Sequence, residues 1–354
     1  MDKNIENAIN NFVWFIPIKK IRNSVIEILF YIVNKNYNIE KKLSCFIDHY
    51  NTIDNKKAEC VIIKMAGGFT DQLFTYVIGK YINTEYDIKV KYDNSWYKDY
   101  GMDNIGKNSR NFELTNVFPN IPFEIATEEE INIFSSLFNF TLFPLNINEL
   151  NSLLYKKRYI YLTSRYMEIS VYLKYKELFD NIFDFDKYLF PKLDAKNIDI
   201  YQKITSCSCP VAIHIRLGDL SNEFKSIDNN YFMNAMNTIV SEAGQLKPKF
   251  FIFSNDMDYV KNNIFKKDFS NFDYEFVDGN DNDKGYIDFY LMSKCNHIIA
   301  SLSRFAFGAY NFIKNNNKIF ILPKNNAYGI IDDFNNSNFY EVNESNDKFI
   351  IKPK

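Results

Sequence analysis

The C-terminal half of the chain alternates short apolar runs with amphipathic segments. Runs at 211–217, 249–254, 274–277, 297–301 and 318–323 have the length of buried strands, and the stretches around 229–243, 257–266, 286–294 and 304–314 space their apolar residues as helices do. Strands alternating with helices predict a parallel α/β sheet. Upstream, "CVIIKMAGGFTDQLFTYVIGKYI" reads as a strand from Cys60 to Met65, a Gly67-Gly68 turn and a helix that sets Phe74, Val77, Ile78 and Tyr81 on one face. Between 90 and 200 the pattern weakens into aromatic-rich helical segments, with "TEEEINIF" from Thr127 marking a helix start. Residues 1–57 are helical in pattern and end in the polar "HYNTIDNKK", which reads as a linker. The expected organisation is an amphipathic helical leader over 1–57, an α/β domain over 58–205 and a Rossmann-like domain over 206–354.

Within "VAIHIRLGDL", Val211, Ile213, Ile215 and Leu217 share one strand face, and Ala212, His214 and Arg216 share the other. A guanidinium on a sheet face costs several kcal/mol unless a carboxylate or an anionic ligand meets it. Parallel sheets bind ligands beyond the carboxyl ends of their strands, where helix N-termini attract phosphate. His214 and Arg216 lie at such an end, as do Ser254, Asn255 and Asp256 after "KFFIF" and Ser301 and Ser303 after "HIIA". Three successive polar strand ends point to one site, although each Ser, Asn or Asp alone also fits a helix cap. Arg216 suits a pyrophosphate because its planar fork donates two parallel hydrogen bonds. The bland reading of His-x-Arg in a strand is a structural ion pair.

Composition narrows the classes. Hydrophobic residues make up 46% of the chain, with 34 Phe and 25 Tyr, too apolar for a disordered protein. A net charge of −2 without a basic stripe argues against nucleic acid as a partner. Five scattered cysteines make no disulfide framework and suggest a reducing compartment; Cys207-Ser-Cys209 lacks a second pair for zinc. No signal-peptide pattern and no window of eighteen apolar residues stand out, so a cytoplasmic location is expected. Trp14 and Phe15 beside Lys19, Lys20 and Arg22 suit peripheral contact with an anionic membrane face; the alternative is a leader packed on its own protein.

Taken in order, "AGGFTDQLFTYVIG", "VAIHIRLGDL", "FFIFSND" and "DFYLMSKCNHIIASLSRFAFGAY" resemble the four motif blocks of the bacterial α-1,2-fucosyltransferase family. In the family's His-x-Arg-Arg-x-Asp motif, His214, Arg216 and Asp219 match, and Leu217 stands where the second arginine would be. The first block usually reads Gly-Gly-Leu-Gly-Asn-Gln-Leu-Phe; Gly67, Gly68, Gln72, Leu73 and Phe74 match, whereas Phe69, Thr70 and Asp71 depart. The last block keeps Asp288, Leu291, Met292, Cys295, His297 and Ser303, but "SLSRFAF" lacks the family's two tryptophans. The chain is thus similar to a divergent member.

The resemblance implies a GT-B-type fold of two Rossmann-like lobes facing a cleft. It also implies inverting transfer of fucose from GDP-fucose to a galactose-type hydroxyl on a bacterial surface glycan or its precursor, with no metal and no other cofactor. The C-terminal lobe would hold the donor and the N-terminal lobe the glycan acceptor. Arg216 would neutralise the donor's phosphate. His214 would order that arginine or touch phosphate, against the alternative of a satisfied core histidine. Asp219 would ion-pair within the site or cap a turn, Asp288 would receive guanine or ribose donors, against the alternative of a solvated helix-start carboxylate, and Ser303 would face phosphate, against the alternative of an N-cap. Asn255, Gly67 and Gly68 complete the expected donor set, and Asp71 is a base candidate by position alone, against the favoured alternative of a helix cap.

Two rivals remain open on the sequence. Asp281-Asn-Asp283 and Asp184-Phe-Asp186 both satisfy Asp-x-Asp, the signature of a metal-dependent glycosyltransferase. The other rival is a non-catalytic glycan or nucleotide-sugar binding protein at a membrane surface. A P-loop is excluded, since neither Gly-rich turn continues into Gly-Lys-Ser or Gly-Lys-Thr.

Overall fold

The strand from Cys60 becomes the centre of a four-stranded parallel sheet. In the computed structural model, β1 (Cys60–Lys64) pairs with β2 (Lys89–Asp93) and β4 (Tyr159–Leu162), and β4 with β3 (Thr141–Leu142). The structure describes residues 56–99, 101–102, 109–135, 141–142, 147–163, 169–217, 229–265, 269–280, 284–301, 303–324, 331, 334–335, 339–345 and 347–354. The leader therefore lies outside the described residues, as do Asp219, Asp281 and Asp283. Among the described residues no helix is long and apolar enough to cross a membrane.

The second sheet has seven strands: β5 (Cys209–Ile215), β6 (Pro248–Ser254), β7 (Asp273–Val277), β8 (His297–Ala300), β9 (Phe320–Pro323), β10 (Tyr340–Glu344) and β11 (Lys348–Pro353). Their order is β10-β11-β9-β8-β5-β6-β7. β5 to β9 run parallel, and β11 is antiparallel to both its neighbours. The chain lays down β5, β6 and β7 to one side, then returns to place β8 and β9 on the other. That reversal is the topological switch point of a Rossmann-like sheet, and it falls between β5 and β8.

Five helices frame the sheets: α1 (Phe69–Tyr86), α2 (Ala195–Ser206), α3 (Asn229–Glu242), α4 (Gly285–Ser293) and α5 (Arg304–Asn311). β5 is buried along its whole length, as a central strand covered on both faces must be. Its alternation sorts the core. Val211, Ile213, Ile215 and Leu217 pack with Ala235, Met236 and Ile239 of α3, whereas Ala212 belongs to the cluster containing Phe289 and Phe307 from α4 and α5. That second cluster also takes in Val61 and Ile63 of β1 and Leu73 and Phe74 of α1, so one apolar core runs between the two sheets.

α1 and α5 meet closely there. A Cβ placed on Gly308 would stand 2.5 Å from Thr70 Cγ2 and 3.0 Å from the Phe289 ring, so only glycine fits against this threonine without displacement. Beside this contact the Phe69 ring meets Phe289 edge-on at 5.4 Å, Phe289 meets Phe305 at 5.5 Å, and Phe305 lies 5.4 Å from His214. A row of packed rings therefore joins the start of α1 to the end of β5.

Several expectations from the pattern shift in the structure. The aromatic stretch read as helical between 90 and 200 contains β2, β3 and β4, because "KVKYD" and "YIYL" are short, Lys- or Tyr-rich strands that gain their stability by pairing with β1. The helix expected over 257–266 is one turn (Met257–Tyr259) followed by a π-turn. The helix start at Thr127 is there as a reciprocal cap: Thr127 Oγ1 accepts from Glu130 N–H at 3.2 Å, and Glu130 Oε2 from Thr127 N–H at 2.9 Å. Outer strands of both sheets carry charge. Lys89 and Lys91 of β2 pair with Glu124 at 2.9 and 3.2 Å, Glu275 of β7 pairs with Lys203 and Lys249 at 2.6 and 3.0 Å, and β10 carries Glu341 and Glu344.

Candidate functional site

The switch point gathers the polar groups the sequence singled out. At the end of β8, Ser301 is fully buried; its N–H donates to the His214 carbonyl and its Oγ accepts from the Arg216 N–H, both at 2.9 Å. At the end of β6, the Asn255 amide grips the next residue from the other side. Leu217 N–H donates to Asn255 Oδ1 at 2.7 Å, and Asn255 Nδ2 donates to the Leu217 carbonyl at 2.9 Å. These bonds stand in for the ladder that β5 loses where it leaves the sheet. They fix the Arg216 backbone between two neighbouring strands while its side chain stays partly exposed.

Leu217 itself is only 7% exposed and packs into the α3-side core. No cation stands at that position, and among the described residues the guanidinium of Arg216 is the one the β5 exit offers. Beside it, His214 is 8% exposed, and burial, reinforced by the Arg216 charge, lowers its pKa from the ordinary 6.5 to about 3. The ring is neutral at physiological pH. Its Nδ1 is buried without a hydrogen-bond partner. A neutral imidazole in contact with Phe305 can orient a neighbour by one hydrogen bond but adds no charge to an anion site.

Ser303 begins α5. Its Oγ accepts the Ala306 N–H at 3.3 Å, so the hydroxyl is an N-cap and the first turn of α5 opens beside the β5 and β8 ends. Asp256 caps its own short helix in the same manner, accepting from Tyr259 N–H at 3.0 Å.

Asp288 does not join this group. Its Oδ1 accepts from Asn280 Nδ2 at 2.7 Å, and Asn280 exchanges two amide hydrogen bonds of 2.9 Å with Asn197 of α2. The expectation that it receives guanine or ribose donors thus meets a carboxylate that ties the loop after β7 to α2 and α4. Asp184 caps the helix Phe185–Leu189 at 3.1 Å from Lys187 N, and Asp186 pairs with Lys294 at 2.5 Å and accepts from Tyr290 OH at 2.7 Å. Both carboxylates of that Asp-x-Asp triplet are structural. Among the described residues no three His, Cys, Asp or Glu side chains are grouped to hold a metal ion.

Across the junction, Gly67 (φ 89°) makes the left-handed step out of β1 that lets α1 start at Phe69. A Cβ on Gly67 would come within 2.4 Å of Asp71 Oδ2, because that carboxylate folds back to accept the Gly68 N–H at 3.0 Å. Of the two sequence readings of Asp71, base and cap, the structure shows the cap: it is the N3 carboxylate of α1. Gln72 is fully buried and holds the loop opposite: Oε1 accepts from Glu113 N–H at 2.8 Å and Leu114 N–H at 3.0 Å, and Nε2 donates to the Asn111 carbonyl at 2.9 Å. Sequence reading noted Gln72 only as a motif match. It passed over Arg110, which this loop carries to the glycine turn, since an arginine in a weakly patterned stretch has no periodic signature.

Comparison with known proteins identifies the family. The family model described as Glycosyl transferase family 11 matches residues 138–341, more than half of the chain. An α-1,2-colitosyltransferase of Escherichia coli is 26% identical over 275 residues, covering 71% of this chain and 87% of that protein. Solved structures are more distant. The fucosyltransferase NodZ from Bradyrhizobium is 16% identical with a TM-score of 0.44, over 76% of this chain and 96% of its own. FUT1 of Arabidopsis thaliana, as a variant in complex with GDP, is 11% identical with a TM-score of 0.41, over 83% of this chain and 80% of its own.

Proposed function

Because the chain belongs to glycosyl transferase family 11, we propose that this glycosyltransferase uses a GDP-linked 6-deoxyhexose, fucose in the first place, and joins it in α-1,2 linkage to a glycan hydroxyl. The observation that carries the reading is the convergence of Arg216, Ser301, Asn255 and the start of α5 on the β5/β8 switch point. The acceptor we favour is a galactose-type unit of a bacterial surface glycan such as lipopolysaccharide or capsule, or its precursor.

In this reading the bond between the anomeric carbon and the terminal phosphate oxygen breaks, and GDP departs with the electron pair. The acceptor oxygen attacks the opposite face and loses its proton, so the configuration inverts. Negative charge grows on the departing phosphate, where Arg216 and the α5 N-terminus act more strongly on the transition state than on the ground state. The guanidinium supplies the positive charge directly, which supports transfer without a metal. Asp71 and Asp219 are the carboxylates the sequence offers for the acceptor proton. One Asp71 oxygen is turned back on Gly68, and kinetics of Asp71→Asn decide its part.

A colitose donor is the second reading, favoured by the E. coli relative. Colitose is fucose without its 3-hydroxyl, so the two donors differ only at the sugar. Calorimetric titration of GDP, UDP and CMP, with and without EDTA, tests the nucleotide. Selective GDP binding that ignores EDTA is expected; metal-dependent UDP binding would overturn the proposal. Turnover of GDP-fucose against GDP-colitose then ranks the sugars, and GDP affinity without any turnover would point to a binding protein.

A further inference from the structure

We infer that Arg110 reaches the donor's diphosphate from the N-terminal sheet, as a second guanidinium facing Arg216 across the junction. This rests on the nucleotide-sugar reading of the switch point and adds to it a residue from outside the donor sheet.

Arg110 is held on both sides. Its backbone N–H donates to the Gly101 carbonyl, and the carbonyl of the next residue, Asn111, accepts from the buried Gln72 amide at 2.9 Å. So anchored, it extends its side chain over the glycine turn: Nη1 lies 4.0 Å from where a Cβ on Gly68 would stand. A larger residue at 68 would crowd that approach. No carboxylate among the described residues pairs with this guanidinium, and the nearby Asp71 is spent on the Gly68 N–H. Arginine kept partly exposed and unpaired beside a helix start is a donor fork awaiting an anion.

The turn it covers belongs to the same junction as Arg216. Phe69 follows Gly68 directly, and the ring row Phe69, Phe289, Phe305 leads to His214 in steps of 5.4, 5.5 and 5.4 Å. Thr70 packs on Gly308 of α5, the helix whose first turn opens at the switch point. In this inference the two guanidiniums act on one diphosphate from opposite sheets. The chemistry asks for both. A departing nucleoside diphosphate gains charge on its terminal phosphate, His214 is neutral, and Leu217 is buried and apolar, so among the described residues the β5 exit supplies one cation.

The test compares diphosphate with monophosphate. GDP and GMP are titrated calorimetrically into the unaltered full chain and into Arg110→Ala and Arg110→Lys, with thermal unfolding of each variant recorded. Arg110→Ala should weaken GDP about tenfold or more while GMP changes less than about twofold, and Arg110→Lys should recover part of the loss, as expected of a charge-assisted hydrogen bond to the terminal phosphate. Unchanged GDP affinity in a folded Arg110→Ala, or an equal fall for GDP and GMP, overturns the inference. If Arg110→Ala fails to fold, Arg110→Gln keeps the stem and reads the same difference. Should the chain prefer uracil over guanine, the UDP and UMP pair reads Arg110 while the guanine reading alone fails. No nucleotide binding at all overturns both.

Discussion

Two strand–turn–helix crossovers meet at the centre of this molecule, and they treat the start of their helix in opposite ways. After β1, the Gly67-Gly68 turn leads into α1, whose first turn is closed by its own Asp71 carboxylate. After β8, Ser301 and Ser303 lead into α5, whose first turn is capped by a neutral hydroxyl. A carboxylate at N3 cancels the positive end of a helix, whereas a serine cap satisfies one N–H and leaves the dipole standing. The first crossover is therefore a closed structural start, and the second is open to an anion. The glycine-rich turn looks the more phosphate-like in sequence, yet its helix end is already answered by Asp71, and the cation beside it is the Arg110 guanidinium.

The contrast is sharpest at Arg216, which stands beside the open helix start. Arg216→Ala should lower kcat/KM on the order of 10²–10³, about 2–4 kcal/mol of transition-state stabilisation, with the melting temperature little changed. A loss under fivefold in steady-state kinetics would move the anion site elsewhere. Next comes the contact that holds the crossovers together. Gly308→Ala places its Cβ 2.5 Å from Thr70 Cγ2, and such overpacking should cost about 1–3 kcal/mol in urea unfolding. Thr70→Ser removes that methyl, so the double variant should regain much of the loss; simple additivity would mean that the two helices do not press on one another here.

Acid should weaken the donor-sheet side. His214 is buried and His297 partly buried, with pKa values lowered by desolvation to about 3 and about 4, so between those values and 6.5 the unfolded chain binds protons that the folded chain does not. Stability then rises with pH across this window and levels off above 6.5, each histidine contributing up to about 1.4 kcal/mol per pH unit. Urea midpoints from pH 4.5 to 7.5 check the sign; His297→Asn should reduce the slope, and a flat profile would mean both rings take up protons in the fold.

The smallest effects separate the two caps directly. Ser303→Ala should cost about 1 kcal/mol of stability and also weaken the nucleoside diphosphate, because the first turn of α5 frays where the ligand sits. Asp71→Asn should leave kcat/KM within about threefold if the carboxylate is only a cap, since a lost general base would cost about 10²-fold or more. A large fall in kcat for Asp71→Asn with an unchanged melting temperature would place Asp71 in the reaction and erase the contrast.

Much of the donor sheet was legible because a central parallel strand advertises itself. β5 is buried on both faces and its alternation separates two cores, so His214 and Arg216 could be placed at its end from the sequence. Ser301 and Asn255 followed from their positions after apolar runs. What they do was not legible: each uses its polar group on the backbone of the neighbouring strand end, a partnership set by sheet order rather than by spacing. Asp288 looked like a ligand for the same reason, and its bond to Asn280, set by the loop after β7, had no signature in the spacing. β2 and β4 escaped notice because five- and four-residue strands with lysine or tyrosine carry little periodic signal until β1 supplies their partner. Arg110 was invisible because its importance, if the titrations bear it out, lies in being delivered by Gln72 to a turn some forty residues earlier in the chain.

The charged outer strands described above bear on the molecule's behaviour in a crowd. A sheet ends in unpaired N–H and C=O groups that invite a neighbour's strand, and the invitation is strongest on flat apolar borders. Here β2 borders one sheet with two lysines already bonded to glutamates, and β7 and β10 border the other with acidic residues. Any strand approaching β2 or β7 would first have to strip water from these charges and disturb their pairs. A chain so rich in phenylalanine and tyrosine thus keeps charge on three of its outer strands, β2, β7 and β10, where its sheets would otherwise invite a neighbour.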